Sequence, residues 1–303
     1  MNKIAMIVHG GAGPDSEYIR KNIEGYKKGL KDAVNAGYKI LVNGGSAIDA
    51  VEESVKTLEN NPLFNAGRGS ALNGNGEVEM DASIMDGKNM RAGAVCLVKN
   101  VKHPVSLAKE IMNKSKHVYI GSSGALEFAK KRNLQLMPDS YFITEHAYQQ
   151  YSDARSEEGK NIELKSHGTV GAVALDIHGN IAAATSTGGT ENKSVGRIGD
   201  TSIIGTGTYA NNKTCAVSCT GDGEYIIENV VGFQLSAIIK YKGLPLKEAG
   251  RYLMQEELKN TSGDIGFIAV DTQGNYIMEF NSDRMHRAWK TSEGEEGEKV
   301  YTE

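Results

Sequence analysis

Apolar residues in the first sixty positions follow strand spacing and then helical spacing. Residues 4–8 predict a short buried strand that ends in a glycine turn over residues 9–13. Helical spacing over residues 17–36 predicts one helix, and a second is predicted to begin after Ser46, with Ser46 as its N-cap and Asp49 in its first turn. The chain is therefore expected to open with a strand and two helices.

Alternating apolar and polar residues mark the next part of the chain. Residues 78–84 alternate in this way, which predicts a half-buried strand, and residues 91–99 predict its partner. Short helices are predicted at about 105–113 and 124–132. These segments form a second group of local elements.

The pattern fades between about residues 145 and 167, where polar and charged residues dominate. Few apolar residues in this stretch could anchor it to a core. The sequence therefore predicts a flexible linker over about 145–168, which divides the chain into two parts.

Two segments after the linker share one form, in which Gly and four apolar residues precede Asp, two variable residues and Gly-Asn. Residues 171–185 and 266–280 each predict a β-hairpin whose Asp and Gly-Asn supply the turn. Helical stretches at 224–241 and 245–259 lie between them. Runs of strands beside runs of helices favour an α+β fold, with antiparallel sheets and helices on their outer faces.

Composition excludes several classes of function. The 303 residues carry a formal net charge of -4, with acidic and basic residues mixed and no basic cluster interleaved with aromatics, so no nucleic-acid binding is expected. The N-terminal apolar run is too short for a secretory or membrane segment. Three cysteines are too few for a disulfide framework, and Cys215 and Cys219 are expected to pack in the core. These features predict a cytoplasmic protein without a membrane partner.

Several catalytic motifs are missing or stand in the wrong context. Residues 205–210 fit a loose dinucleotide pattern, but turn and strand residues follow where a helix is required. The glycine-rich segment at 9–13 lacks the lysine and spacing of a P-loop, and the seven histidines are scattered singly, so no catalytic metal is expected. No Gly-x-Ser-x-Gly elbow occurs, which disfavours a serine hydrolase.

Thr169 lies at the junction of the predicted linker and the first hairpin, directly after Gly168. A threonine hydroxyl is a weak nucleophile unless a base lies beside it, and a free α-amine on the same residue can be that base. This amine would exist only if the Gly168–Thr169 bond were cut. Glycine at 168 can take backbone conformations closed to other residues, which would let the bond be strained toward attack. From this pattern alone, a strand that merely begins with Gly-Thr remains the alternative.

Five ordered blocks together resemble the plant-type asparaginases and isoaspartyl peptidases, which are N-terminal nucleophile hydrolases. The blocks are His-Gly-Gly-Ala-Gly near the start and residues 61–87, 167–189, 196–212 and 217–224. The resemblance covers nearly the whole chain. It implies a four-layer αββα sandwich, made as a precursor that cleaves itself before Thr169 into an α chain, 1–168, and a β chain, 169–303. It also implies a homodimer of such αβ units.

The resemblance further implies a role for each matched residue in the hydrolysis of L-asparagine and isoaspartyl dipeptides. Thr169 would attack the side-chain amide or isopeptide carbonyl with its own amine as the base, and Thr187 would orient it. Thr220 and Gly221 would stabilise the oxyanion and contact the substrate. Asn65 would lie near the nucleophile.

Two charged residues complete the implied site. Arg197 would bind the substrate α-carboxylate, ideally through two hydrogen bonds, and Asp200 would bind the α-ammonium group. No cofactor is implied for the chemistry. A structural sodium ion is implied by the resemblance alone, with backbone carbonyls as its ligands, at Leu58, Glu59, Asn61, Phe64, Ala66 and Arg68.

The chain departs from the family pattern beside the implied substrate pocket, at residues 188–196 and 199–210. Substrate preference is therefore less well specified than the acid–base roles. The alternatives are a relative acting on glycosylated asparagine, a threonine endopeptidase, and an inactive module that binds aspartate-like ligands. A secreted glycosylasparaginase should carry a signal sequence and more cysteines, and an endopeptidase should lack a charge pair that demands free substrate ends.

Overall fold

The computed structural model describes residues 3–156 and 168–302 as a mixed α and β structure. Its helices are α1 (Glu17–Lys21), α2 (Ile23–Val42), α3 (Ala47–Glu59), α4 (Pro104–Lys114), α5 (Ser122–Lys131), α6 (Asp139–Phe142), α7 (Glu145–Ser156), α8 (Gly223–Glu228), α9 (Val231–Ala237) and α10 (Leu246–Tyr252). Its strands are β1 (Ala5–Gly13), β2 (Met80–Asp86), β3 (Arg91–Val98), β4 (Tyr119–Gly121), β5 (Val170–Leu175), β6 (Ile181–Thr187), β7 (Thr208–Ala210), β8 (Ala216–Gly221), β9 (Ile265–Val270), β10 (Tyr276–Phe280), β11 (Arg284–Thr291) and β12 (Glu296–Tyr301). A π-helical turn continues α9 over Ile238–Lys242 and another continues α10 over Leu253–Glu257.

The strands form two sheets. The larger has eight strands in the order β12-β11-β1-β5-β6-β2-β3-β4, and the smaller has four in the order β10-β9-β8-β7. Neighbouring strands in both sheets pair antiparallel, except that β3 and β4 are parallel. The α+β class predicted from runs of strands and helices is confirmed.

Three large apolar clusters hold these elements together. The first joins α2, α3 and α4 to the eight-stranded sheet and includes Leu30 and Val51. The second joins the four-stranded sheet to α8, α9 and α10 through side chains such as Leu235, and it also buries Cys215 and Cys219, as predicted. The third lies between the sheets. Within the described residues, none of the helices is long and apolar enough to cross a membrane.

Local turn and cap signals in the sequence match the structure. The Ser46 hydroxyl accepts the Asp49 N–H at 3.3 Å and caps α3. In the β5–β6 hairpin, the Asp176 carboxylate accepts the N–H groups of His178 and Asn180 at 2.9 and 3.0 Å. An equivalent pair of bonds to an Asp closes the β9–β10 hairpin. Both predicted hairpins are thereby confirmed.

The glycine-rich segment at residues 9–13 is not the turn that was predicted. It is the second half of β1, and its register with β11 shifts between His9 and Ala12. Gly11 has a φ of +113°, a region that L side chains rarely adopt. The glycines therefore bulge the strand and do not end it.

The flexible linker predicted over about 145–168 is wrong for its first part, because residues 145–156 form α7. The helix is polar overall but has a small apolar face, on which Ala147 and Tyr151 are buried. Tyr151 packs into a cluster that includes Phe142, and the ring of His146 stacks on Tyr18. The rest of the predicted linker, residues 157–167, lies outside the described part of the chain.

Candidate active site

The register of the β5–β6 hairpin places two threonine hydroxyl groups side by side. Val170 pairs with Ser186, so Thr169, one residue earlier, lies opposite Thr187, one residue later. The Thr169 hydroxyl donates to the Thr187 hydroxyl at 3.2 Å, and the Thr187 hydroxyl also accepts the Gly189 N–H at 3.0 Å. A local hairpin therefore fixes the candidate nucleophile against its predicted orienting group.

The end of β8, from the smaller sheet, lies across from Thr169. The Thr169 N–H donates to the Thr220 hydroxyl at 3.2 Å, and the Ala12 N–H donates to the same oxygen at 3.1 Å. Gly221 follows with a φ of +126°, and a Cβ there would lie 2.1 Å from the Asp264 carbonyl oxygen. Position 221 therefore requires glycine, and the site is built from both sheets.

Gly168 makes a close backbone contact with β1. A Cβ on Gly168 would lie 2.3 Å from the Cα of Gly11, which leaves no room for one. The bulge in β1 thus packs directly on the residue that precedes Thr169.

A pocket of about 220 Å³ opens beside the paired threonines. It is lined by Thr169, Thr187, Gly189, Thr190, Arg197, Gly199, Asp200, Gly221 and Gly223. The structure thus brings five of the sequence-predicted residues to one cavity. Thr220 lies next to it through its hydrogen bond to Thr169. The sequence analysis did not predict four of the lining residues, Gly189, Thr190, Gly199 and Gly223.

Asp200 presents a buried carboxyl group to this pocket. It is 4% exposed, and among the described residues its Oδ2 atom has no hydrogen-bond partner. Burial raises the pKa of Asp200 to about 7, although the Arg197 guanidinium opposes the shift. A buried carboxylate with an unsatisfied oxygen suits a cation that enters the pocket.

Arg197 already holds a carboxylate, a contact that the sequence analysis missed. Its Nε and Nη2 atoms donate to the two carboxylate oxygens of Glu224 at 2.9 and 2.8 Å. Burial works against the ionised form of Glu224, but these hydrogen bonds hold its pKa below the ordinary value. Arginine binds carboxylates in this forked geometry, so Glu224 pairs with the guanidinium to which the resemblance assigns a substrate carboxylate.

Asn65 does not line the pocket. Its side-chain N–H donates to the Gly189 carbonyl at 2.6 Å, and its side-chain oxygen accepts the Ala71 N–H at 2.8 Å. Its backbone carbonyl accepts the Gly188 N–H at 3.1 Å. Asn65 therefore fixes the backbone of the turn that follows Thr187, and it affects the pocket only through that turn.

Lys193 holds the same turn from another direction and was also missed. Its ammonium group is buried and donates to the carbonyl oxygens of Glu79 and Gly188 at 2.6 and 2.9 Å. Burial lowers the pKa of Lys193, while the nearby Asp81 carboxyl opposes the shift. A lysine with almost no exposed surface is thus used to fix backbone beside the pocket.

Comparison with known proteins identifies the family. A family model described as asparaginase matches residues 2–299. The chain belongs to the asparaginase family. The resemblance that the five sequence blocks predicted is confirmed.

Relatives of this asparaginase-family chain span bacteria, plants and animals. An isoaspartyl peptidase of Salmonella typhimurium is 42% identical over 299 residues, which covers 95% of this chain and 96% of the relative. A probable isoaspartyl peptidase/L-asparaginase 2 of Arabidopsis thaliana is 41% identical over 316 residues, covering 96% of each. The isoaspartyl peptidase/L-asparaginase of Homo sapiens is 42% identical over 288 residues, covering 94% of this chain and 92% of the relative.

The loop after α3 in this asparaginase-family chain brings two carbonyl oxygens close to Gly69. A Cβ on Gly69 would lie 2.6 Å from the Pro62 carbonyl oxygen and 2.8 Å from that of Phe64. The Glu59 carbonyl in the same loop accepts the Arg68 N–H at 2.8 Å. A carbonyl oxygen keeps a second lone pair after one hydrogen bond, and hard cations prefer oxygen ligands. The Glu59 and Phe64 carbonyls belong to the set that the resemblance implies for a sodium ion, whereas the Pro62 carbonyl does not.

Proposed function

We propose that this chain is an autoprocessing amidohydrolase that cleaves β-aspartyl bonds. It would release L-aspartate from isoaspartyl dipeptides and, with ammonia, from L-asparagine. One observation carries the proposal: Thr169, Arg197 and Asp200 line a single small pocket. A hydroxyl nucleophile beside a cation and a carboxylate suits a substrate with free α-amino and α-carboxyl groups next to its scissile amide. The names of the relatives, isoaspartyl peptidase and L-asparaginase, support this reaction.

The first reaction in the proposal is cleavage of the chain itself. The Thr169 hydroxyl would add to the Gly168 carbonyl, and the bond from that carbonyl to the Thr169 nitrogen would break to leave an ester. Water would then hydrolyse the ester and leave chains 1–168 and 169–303, the second with a free Thr169 amine. The close contact of Gly168 with Gly11 supports this step, because it restricts the backbone at the bond to be cut.

Substrate hydrolysis would then use the new amine. As Thr169 Oγ1 bonds to the substrate carbonyl, the amine accepts the hydroxyl proton, and Thr187 orients the oxygen that attacks. The Thr220 hydroxyl and the Gly221 N–H would stabilise the oxyanion. The amine would pass its proton to the departing nitrogen, and water would release aspartate from the ester on Thr169.

The charged residues would select the substrate. Arg197 would bind the α-carboxylate once that group has displaced Glu224, and Asp200 would bind the α-ammonium group. A pocket that offers Arg197 and Asp200 to free α-carboxylate and α-ammonium groups disfavours a threonine endopeptidase, whose substrates lack those free ends at the cleaved bond. Preference between asparagine and isoaspartyl dipeptides depends on how the leaving group is accommodated.

We extend the proposal to the assembly around this site. The three apolar clusters support a four-layer αββα sandwich, and the family supports a homodimer of αβ units. A sodium ion would stabilise the loop after α3 through carbonyls from the predicted set, which comprises Leu58, Glu59, Asn61, Phe64, Ala66 and Arg68. The three unpaired, buried cysteines support a cytoplasmic location.

Intact mass measurement with N-terminal sequencing tests the proposal directly. The purified protein should yield fragments 1–168 and 169–303, and the second should begin with Thr169. Ammonia release from asparagine and aspartate release from an isoaspartyl dipeptide should rise together with the cleaved fraction.

Two variants at the same position provide the controls. Thr169→Ser keeps a hydroxyl and an amine, so it should still cut itself and retain activity, whereas Thr169→Ala should do neither. Hydrolysis by a wild-type chain that never exposes Thr169 would refute the mechanism. An uncut, inactive wild type that binds aspartate as well as Thr169→Ala does would favour the binding module.

A further inference from the structure

Five buried side chains form a continuous chain of hydrogen bonds between the two sheets. In order, they are His9, Ser218, Thr185, Thr208 and Ser83. Successive polar atoms lie 2.8, 2.7, 2.5 and 2.8 Å apart. At the far end the Ser83 hydroxyl donates to the Thr201 carbonyl at 2.5 Å. We call this set the intersheet polar chain.

Each link of the intersheet polar chain crosses from one sheet to the other. His9 on β1, Thr185 on β6 and Ser83 on β2 belong to the eight-stranded sheet, while Ser218 on β8 and Thr208 on β7 belong to the four-stranded sheet. All five side chains are fully buried. The four hydrogen bonds of the intersheet polar chain therefore all join the two sheets, within the layer that also contains Thr169.

The His9 end of the intersheet polar chain lies against Thr169. The backbone of Thr169 lies next to the His9 imidazole, and burial lowers the pKa of His9 to about 3, so the ring is neutral at physiological pH. Gly171, on the nucleophile's own strand, leaves the space for the first link. A Cβ there would lie 2.0 Å from Ser218 Oγ and 2.3 Å from His9 Nε2.

The Ser83 end of the intersheet polar chain lies next to the turn that carries Asp200. Thr201, whose carbonyl accepts from Ser83, directly follows Asp200 in one turn of 3-10 helix. The intersheet polar chain thus connects the strand region of Thr169 with the backbone that carries the buried carboxyl group of the pocket.

The groups proposed to react lie on both sides of the layer between the two sheets. Thr169 precedes β5 of the larger sheet, while Thr220 and Gly221 end β8 of the smaller one. Hydrolysis requires these groups to be placed within about 0.5 Å of the productive geometry. Apolar packing is non-directional, whereas buried hydrogen bonds are directional and restrict the separation of the groups that they join.

We infer that the intersheet polar chain is the spacer that sets the separation between Thr169 and the Thr220–Gly221 segment, with His9 and Thr185 as its positioning residues. The catalytic consequence rests on the proposed function, but the geometric consequence does not. Removal of one link should let the sheets shift relative to each other at this end of the layer.

Thr185 offers the sharpest test because it bonds to both Ser218 and Thr208. Thr185→Val keeps the shape and removes both links, whereas Thr185→Ser keeps the hydroxyl. In crystal structures, Thr185→Val should lengthen the distance from Thr169 N to Thr220 Oγ1, 3.2 Å here, by about 0.5 Å. Its kcat per matured site should fall about 10- to 100-fold with KM changed less than about twofold, and Thr185→Ser should stay within about threefold of wild type.

Thr214→Val is the matched control. Thr214 is also buried and shares a 2.7 Å hydroxyl contact, with Ser236, but it lies outside the gap between the sheets. Its removal should lower stability and leave kcat per matured site and the Thr169–Thr220 separation unchanged.

His9 provides a second, independent pair of variants. Glutamine can place its amide N–H near the position of His9 Nε2, whereas the shorter asparagine cannot. His9→Gln should therefore stay close to the wild-type kcat per matured site, and His9→Asn should show the loss seen for Thr185→Val.

The outcomes separate this inference from the proposed function. An unchanged separation together with an unchanged kcat per matured site in Thr185→Val would overturn the spacer, whatever happens to thermal stability. If the wild type hydrolyses no β-aspartyl bond, the proposed function fails, and the separation measured in Thr185→Val against Thr185→Ser and Thr214→Val still decides the spacer.

Discussion

The layer between the two sheets has an apolar end and a polar end, and the two ends are built from the same strands. Along β5 the residues that face the layer change from Leu175 and Val173 to Gly171, with Thr169 just beyond the strand. On β6 they change from Ile181 and Ala183 to Thr185 and Thr187. Strand alternation decides which residues face the layer, and the residue type then changes along it.

The two ends contribute different properties to the molecule. The apolar end removes hydrocarbon from water and so contributes free energy of folding without fixing exact distances. The polar end consists of directional hydrogen bonds, which we infer position Thr169 relative to Thr220 and Gly221. Changes at the apolar end should therefore affect stability, and changes at the polar end should affect chemistry.

The largest effect at the polar end is expected for Gly221→Ala. A Cβ at this position would lie 2.1 Å from the Asp264 carbonyl oxygen and would displace the backbone N–H that is proposed to stabilise the oxyanion. We expect kcat/KM for an isoaspartyl dipeptide to fall by about 10² to 10³-fold.

The control for this change is Gly243→Ala. Gly243 also has a positive φ, +69°, but a Cβ there would meet nothing within 4 Å. It should cost some stability and leave kcat/KM unchanged. Equal losses in the two variants would show that backbone strain, and not the oxyanion site, governs activity.

The next largest effect is expected for Arg197→Lys. Lysine keeps the charge but cannot form the fork that Arg197 makes with the Glu224 carboxylate and that it is proposed to make with substrate. KM for asparagine should rise about 100-fold, while kcat changes much less. Steady-state kinetics at several substrate concentrations will separate the two constants, and an unchanged KM would contradict the proposed role of Arg197.

A smaller, pH-dependent effect is expected from Asp200. Its pKa is raised to about 7, and only the ionised carboxylate attracts the α-ammonium group, so substrate binding should weaken as pH falls through 7. Below that pH, kcat/KM should fall about tenfold per pH unit. Asp200→Asn should lower kcat/KM above pH 7, and the difference from wild type should shrink as pH falls below 7, because the wild-type carboxyl is then neutral as well. A wild-type profile that stays flat from pH 8 to 5 would contradict it.

The smallest effect on chemistry is expected at the apolar end. Val173→Ala removes buried hydrocarbon between the sheets and should lower the free energy of unfolding by about 2 kcal/mol. Its kcat per matured site should stay within about twofold of wild type. Denaturant unfolding and active-site titration will measure the two quantities, and a large loss of kcat would erase the distinction between the ends.

Elements of the fold with local signals could be predicted from sequence. The β5–β6 hairpin was predictable because alternation and the turn at Asp176 act within a few residues. Strand β11 was not, because polar residues such as Arg284 and His286 are buried in it. Arg284 donates to the Pro14 carbonyl at 3.1 Å, a partner 270 positions away. A strand stabilised by such distant contacts leaves no apolar pattern.

The site shows the same division. Thr169 could be predicted from the junction it occupies and from the ordered blocks around it. Glu224 and Lys193 could not, because an isolated charge in a polar stretch is typical of a solvated surface. Their partners are brought to them only by folding, which places Glu224 on Arg197 and Lys193 under the turn at Gly188.

The Glu224 contact with Arg197 changes the meaning of an affinity measured at this pocket. In the proposed binding mode, a ligand carboxylate replaces the Glu224 carboxylate on Arg197, so binding would exchange one ion pair for a similar one. Added salt weakens the pair that is lost as well as the pair that is gained. The dissociation constant of aspartate should therefore depend only weakly on ionic strength, and Glu224→Gln should make that dependence steep.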